Sequence, residues 1–133
     1  MAVVRSERRA VRASEDVVAV RQVVREWALA VGFSLVDQTK LVTAASELAR
    51  NTLIHGGGGM VELQEVNGPG RGIRLVFEDA GPGILDIDVA LKDGYSTGGG
   101  LGLGLGGAKR LSNEFEITSR PGAGTRVSIT RWK

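Results

Sequence analysis

Between Gly98 and Gly107 seven of ten residues are glycine, with Leu101, Leu103 and Leu105 between them. Each glycine inside a regular helix or strand costs about 0.5–1 kcal/mol against alanine, so no ordinary element accounts for the run. A flexible linker would carry serine and other polar residues in place of the leucines. What remains is a turn whose backbone presses closely on a partner. Phosphate is the commonest such partner, because backbone N–H groups at a helix start converge on an anion. Ala108-Lys109-Arg110-Leu111 follow. The run is therefore expected to lead a helix from Gly102 to Ser112, with its N-terminus toward an anion and Lys109 or Arg110 nearby.

With 133 residues the chain is expected to form one domain with a single core. The formal charge of +2 argues against a dedicated nucleic-acid surface. Six arginines (Arg5, Arg8, Arg9, Arg12, Arg21 and Arg25) crowd the first 25 positions. They read either as a docking surface or as a solvated strand edge and helix face. Cysteine is absent, which excludes disulfides and thiolate metal sites. No apolar run approaches the roughly 20 residues of a membrane span, and no basic start leads into an apolar stretch as in a secretory signal. A cytoplasmic domain without membrane contact is expected.

Residues 3–12 read as an edge strand. Ser14 offers a helix N-cap, and Glu15 and Asp16 suit the positive end of the helix dipole. Val17, Val20, Val24, Trp27, Ala28 and Val31 follow at helical spacing up to Gly32. A second helix opens at Ser34 with Asp37 three residues on, an acidic variant of the capping box. Its stripe is Leu41, Val42, Ala45, Leu48, Ala49 and Leu53, and Gly56 to Gly59 end it. The period then changes to two, giving strands over 60–66 and 73–77 and a terminal hairpin over 115–119 and 125–130. Ile84 to Gly100 has weak periodicity and reads as a mobile loop. The order predicts an α+β, two-layer sandwich, a mixed sheet with helices on one face.

Three separated motifs point at one ligand. In Glu47-Leu48-Ala49-Arg50-Asn51 the first and last residues stand four apart and share a helix face. A carboxylate there can take a hydroxyl proton, and an amide oxygen suits Mg²⁺; an exposed Glu47–Arg50 pair is the plainer alternative. Asp79-Ala80-Gly81-Pro82-Gly83 follows a strand. The carboxylate could accept from the exocyclic amine of adenine, with Gly81 and Gly83 letting backbone lie against the base; a simple turn explains the motif equally well. The third motif is the glycine run. Gly102, Gly104 and Gly107 match G-x-G-x-x-G, but Lys92 to Thr97 is no buried strand, and Glu114 and Glu116 come too soon for a dinucleotide fold.

In this order and at these separations the motifs resemble the ATP-binding (Bergerat) fold shared by DNA gyrase, heat-shock chaperones, histidine kinases and MutL, the GHKL superfamily. Glu47 and Asn51 match its helix-borne N box, and Asp79, Gly81 and Gly83 its adenine-binding motif. Gly98, Gly99, Gly100, Leu101, Gly102, Leu103 and Gly104 match its phosphate-binding glycine box. Gly124-Thr125 resembles its late Gly-Thr, whose hydroxyl sits near the adenine. Without the extra domains of gyrase or the phosphoacceptor helices of histidine kinases, the chain looks like the bacterial anti-sigma-factor serine/threonine kinases. Thr97 to Leu105 followed by Lys109-Arg110-Leu111 places it nearest the RsbT-type switch kinases of the stressosome.

The resemblance implies ATP and Mg²⁺ as cofactors, Asn51 as the metal ligand, Glu47 as the base and the 84–100 loop as a lid over the phosphates. It implies a STAS-domain antagonist as protein substrate and a metal-dependent protein phosphatase as the partner activated afterwards. Two other readings stand beside it: an anti-sigma factor that holds a sigma factor, and a non-catalytic, ATP-responsive binding module. His55, at i+4 from Asn51, either caps its helix or sits near the site. Trp27 and Phe33 could serve a partner surface, although Trp27 falls on the apolar stripe of its helix.

Overall fold

The computed structural model describes residues 1–84, 86–91 and 104–133. Strand β1 (Ala2–Val11) leads into helices α1 (Ser14–Val31) and α2 (Leu35–Ile54), followed by β2 (Gly59–Asn67) and β3 (Arg71–Asp79). A short α3 (Ile87–Ala90) and α4 (Gly104–Arg110) precede the hairpin β4 (Glu114–Ser119) and β5 (Thr125–Trp132). The five strands form one sheet in the order β1-β2-β3-β5-β4.

The expected α+β layering is present, but each neighbouring pair is antiparallel, where a mixed sheet was expected. β2–β3 and β4–β5 are hairpins joined by short turns, and for β1 and β2 the cause is the helical hairpin. α1 runs back along the sheet and α2 returns, so β2 starts from the end at which β1 finished and must descend beside it.

Alternation then decides which face is covered. Val61 and Leu63 of β2, Ile73, Leu75 and Phe77 of β3, and Val127 and Ile129 of β5 join one buried cluster with Val20, Val24, Trp27, Leu41, Ala45 and Leu48 of the helices. Each buried side chain of this size contributes about 1.5–3 kcal/mol. The opposite face carries exposed pairs such as Arg8–Glu62 and Arg126–Glu78. Surface pairs of this kind add little stability but keep that face wet.

The two helix starts differ in how they are capped. Ser34 Oγ accepts the Asp37 N–H at 3.2 Å, as expected. At α1 the cap position falls on Ala13 and not on Ser14. Asp16 does the work instead, its carboxylate accepting the N–H groups of Arg12 (2.8 Å) and Ala13 (3.1 Å). A carboxylate in the first turn reaches back over the chain entry in this way. Trp27 and Phe33 are both buried, so neither serves a partner surface. The Arg5 guanidinium lies over the Trp27 ring at 4.0 Å, and Arg8 and Arg9 pair with Glu62 and Glu7. Among the described residues no helix is long and apolar enough to cross a membrane.

Candidate functional site

The site lies at one end of the two layers, where the last turn of α2, the end of β3 and the start of β5 meet α3 and the first residues of α4. A cavity of about 340 Å³ opens there. Asn51 and His55 of α2, Asp79, Gly83, Gly104 and Thr125 all line it, over an apolar floor that includes Leu48 and Phe77. Asn51, Asp79 and Thr125, far apart in sequence, thus line one cavity, and of the glycine run the described residues Gly104 and Leu105 line it as well.

Asp79 ends β3, directly opposite Gly59 on one side and Thr125 on the other. Register partners project on the same face, so Asp79 and Thr125 reach the cavity side by side. Asp79 Oδ1 accepts the Gly81 N–H at 2.9 Å, which holds the carboxylate in place and leaves its second oxygen for another donor. The strand carries the residue into the cleft, and the turn aims it.

The glycines around Asp79 have a use within the fold itself. A Cβ on Gly81 would come within 2.7 Å of Gly56 Cα, and one on Gly83 would run into the Arg120 carbonyl. Their missing side chains make room for the protein's own backbone. Gly124, at φ +80°, packs in the same way on the Asp79 carbonyl. Gly56 is the member that the sequence reading missed, because the run Gly56–Gly59 reads only as a helix stop. A Cβ there would lie 2.5 Å from Asp79 Cβ and 2.6 Å from its Oδ2, so Gly56 is where the carboxylate fits.

Asn51 and Glu47 sit one turn apart on α2. Asn51 Nδ2 is buried and has no hydrogen-bond partner among the described residues. An unpartnered buried amide costs about 1–3 kcal/mol, and at the edge of a cavity a water, ion or ligand can complete its bonding. Glu47 is 6 % exposed, which rules out the solvated surface pair with Arg50. The described lining of the cavity includes Asn51 but not Glu47. His55 stands at the C-cap of α2, its backbone N–H donating to the Asn51 carbonyl at 2.9 Å, and it lines the cavity.

Gly104, the first residue of α4, is buried and reaches the cavity. Gly98, Gly99, Gly100, Leu101, Gly102 and Leu103 lie outside the described residues, as does most of the expected 84–100 loop. Within that loop Ile87–Ala90 is helical, capped by Asp86, whose Oδ1 accepts the Val89 N–H at 3.2 Å. α4 ends at Arg110, two residues before the expected Ser112, and Lys109 and Arg110 lie exposed at its far end from the cavity. A second residue escaped the sequence reading. Ser119 ends β4 and ties three backbone segments together, as described below; a hydroxyl at a strand end carries no signal of its own.

A helix-borne amide, a post-strand aspartate and a late Gly-Thr around one cleft define an ATP-binding domain of the histidine kinase type. Residues 36–133 match the histidine kinase-, DNA gyrase B-, and HSP90-like ATPase family, and the chain belongs to it. Within that family it is 46 % identical over 118 residues to the serine/threonine-protein kinase RsbT of Bacillus subtilis, covering 88 % of this chain and 89 % of that one. It is 32 % identical over 104 residues to an anti-sigma F factor of Clostridium kluyveri, 74 % of this chain and 72 % of that protein. A second anti-sigma F factor, from a Thermoanaerobacter species, is 28 % identical over 117 residues. Among solved structures, the RsbU and RsbW domains of Rv1364c from Mycobacterium tuberculosis superpose with a TM-score of 0.65 at 21 % identity. The match covers 96 % of this chain but 32 % of that one, and it shows the fold.

Proposed function

We propose that this chain, as a single kinase domain over residues 1–133, transfers the γ-phosphoryl group of ATP to a serine or threonine hydroxyl of a STAS-domain antagonist. That it is a serine/threonine protein kinase using ATP follows from the family and from its identity to RsbT. The roles of individual residues are our reading. Asp79 and Thr125 receive the adenine, and the triphosphate extends past Asn51 toward Gly104 and the glycine run, Gly98 to Leu103. Asn51 carries the reading furthest. Its buried amide nitrogen lacks a partner among the described residues where phosphate oxygens would pass; with the amide turned over, its oxygen would face a cation.

The residues present fit Mg²⁺ on that basis. Among the described residues no cluster of three acidic, histidine or cysteine side chains could hold a metal alone, so Asn51 and the phosphates would share it, as is usual for Mg²⁺ on nucleotides. When bound, the cation offsets the charge on the phosphate oxygens during transfer. Glu47 accepts the proton of the substrate hydroxyl. The freed oxygen then bonds to the γ-phosphorus as the bond to the β–γ bridging oxygen breaks, leaving ADP and a phosphoprotein. Phosphoryl transfer asks for little beyond positioning and charge neutralisation.

After transfer, release from the antagonist frees the kinase to bind and activate a metal-dependent protein phosphatase. The likeness to anti-sigma F factors supports a second reading, in which a sigma factor is the protein held. Incubation with radiolabelled Mg-ATP and a STAS-domain protein tests the first reading. Label on a serine or threonine, lost in Glu47→Ala and Asn51→Ala, is the expected result. Tight ATP binding without transfer, together with sigma-factor capture, would favour the second. With Glu47→Ala the expected loss is about 10²–10⁴-fold in transfer at unchanged nucleotide affinity; transfer at the wild-type rate would remove Glu47 from the mechanism.

A further inference from the structure

The hydroxyl of Ser119 takes part in three contacts at the base end of the cleft. It accepts the Ile84 N–H at 2.8 Å and donates to the Gly124 carbonyl at 3.0 Å. It also lies 2.8 Å from Thr125 Oγ1, a contact in which either oxygen could be the donor. A serine hydroxyl has one proton and two lone pairs. The carbonyl of Gly124 can only accept, so the single Ser119 proton belongs to it. All three contacts are hydrogen bonds at once only when the Thr125 hydroxyl is the donor in the third. Ser119 is then saturated, and the Thr125 proton is turned away from the cavity.

The consequence is a fixed polarity. Thr125 Oγ1 presents only lone pairs to the cavity, and beside it Asp79, its register partner, has one oxygen committed to the Gly81 N–H and the other an acceptor. An ionised carboxylate accepts and cannot donate. Both groups at this end of the cleft thus ask for a donor on the ligand.

We infer that Ser119 is a positioning residue which, by holding the Thr125 proton, makes the base end of the cleft acceptor-only and so selects an exocyclic amine over a carbonyl at the ligand's six-position. This rests on the reading of the cleft as an adenine site. Ser119 is not among the residues lining the main cavity; it acts through Thr125. In Ser119→Ala the threonine hydroxyl loses its acceptor and is free to turn its proton into the cavity. It can then donate to a carbonyl as readily as it accepts from an amine.

The test is the ratio of affinities for ATP and inosine triphosphate, which carries a carbonyl where ATP carries the amine. Both are titrated calorimetrically into wild-type protein, Ser119→Ala and Ser119→Thr. A preference for ATP in the wild type is expected to fall roughly fivefold to tenfold in Ser119→Ala, one hydrogen bond's worth of discrimination. Most of that fall should come from tighter inosine triphosphate binding, and Ser119→Thr, which keeps the hydroxyl, should restore the ratio. A purely structural role would weaken both nucleotides together, and an unchanged ratio in Ser119→Ala overturns the inference. Should that variant not fold, Ser119→Cys, a poor donor and acceptor, is held to the same expectation. Equal affinity of the wild type for the two nucleotides would overturn the adenine reading itself, and with it this one; a wild-type preference that Ser119→Ala leaves intact overturns only the role of Ser119.

Discussion

Gly56→Ala is the sharpest perturbation the site offers, because the added atom meets one target. The new Cβ would lie 2.5 Å from Asp79 Cβ and 2.6 Å from Asp79 Oδ2, about 1 Å inside the ~3.5–4.0 Å optimum for carbon contacts. Asp79 cannot simply recede. Its backbone is paired with Gly59 and Thr125 on either side, and its carboxylate is held by the Gly81 N–H. Either the α2–β2 connection shifts or the side chain leaves the cleft.

Forced overpacking of this kind costs about 1–3 kcal/mol of stability. Losing a hydrogen bond from a charged carboxylate to the base costs about 1.5–3 kcal/mol of affinity, a roughly ten- to hundredfold rise in the dissociation constant for ATP. Calorimetric titration with ATP and a thermal melt of the free protein measure the two effects separately. Gly57→Ala is the control. Gly57 has φ +72° but open space around a Cβ, so that variant is strained, by about 1–2 kcal/mol, without touching Asp79, and should melt earlier yet bind ATP normally. If Gly56→Ala binds ATP within twofold of wild type, the argument that this glycine exists to seat Asp79 is wrong.

Asn51→Ala should leave the melting temperature of the nucleotide-free protein unchanged or raised, since it removes a buried amide nitrogen with no partner among the described residues, while weakening Mg-ATP binding; a clear loss of stability would mean that the amide is satisfied in the free protein. The Arg131 guanidinium donates to Asp37 at 2.7 Å and holds its carboxyl below the ordinary value of 3.8. A carboxyl whose folded-state pKa is depressed adds stability above the unfolded value and loses it as pH falls through the folded one. Wild-type protein should therefore lose more melting temperature below about pH 4 than Asp37→Asn does. Parallel melting curves for the two across that range would show that the pair contributes nothing.

Much of the fold was legible because the signals are local. The apolar stripes from Val17 to Val31 and from Leu41 to Leu53 each report one face of one helix, and the two-residue period of 60–66 and 125–130 reports strands. The glycine run and the Glu47/Asn51 spacing were readable for the same reason. The failures were equally consistent. The cap at Ser14 moved because Asp16, close in sequence, made a better one. Lys109 and Arg110 were placed near the anion by adjacency in sequence, but a helix carries its two ends apart.

By itself, then, the amino-acid order determined the elements, the layering and the residue types brought to the site, since periodicity, capping and glycine density act over a few residues. Only the tertiary structure decided the rest. Which strands become neighbours, and in what sense, depends on how the connections return the chain to the sheet, and the result is an antiparallel sheet in the order β1-β2-β3-β5-β4. What a glycine is for depends on which atom fills the space of its missing Cβ, and for Gly56 that atom belongs to a residue more than 20 positions away. The direction of a hydroxyl proton depends on every donor and acceptor around it, and the partners of Ser119 come from two other segments, Ile84 and Gly124-Thr125.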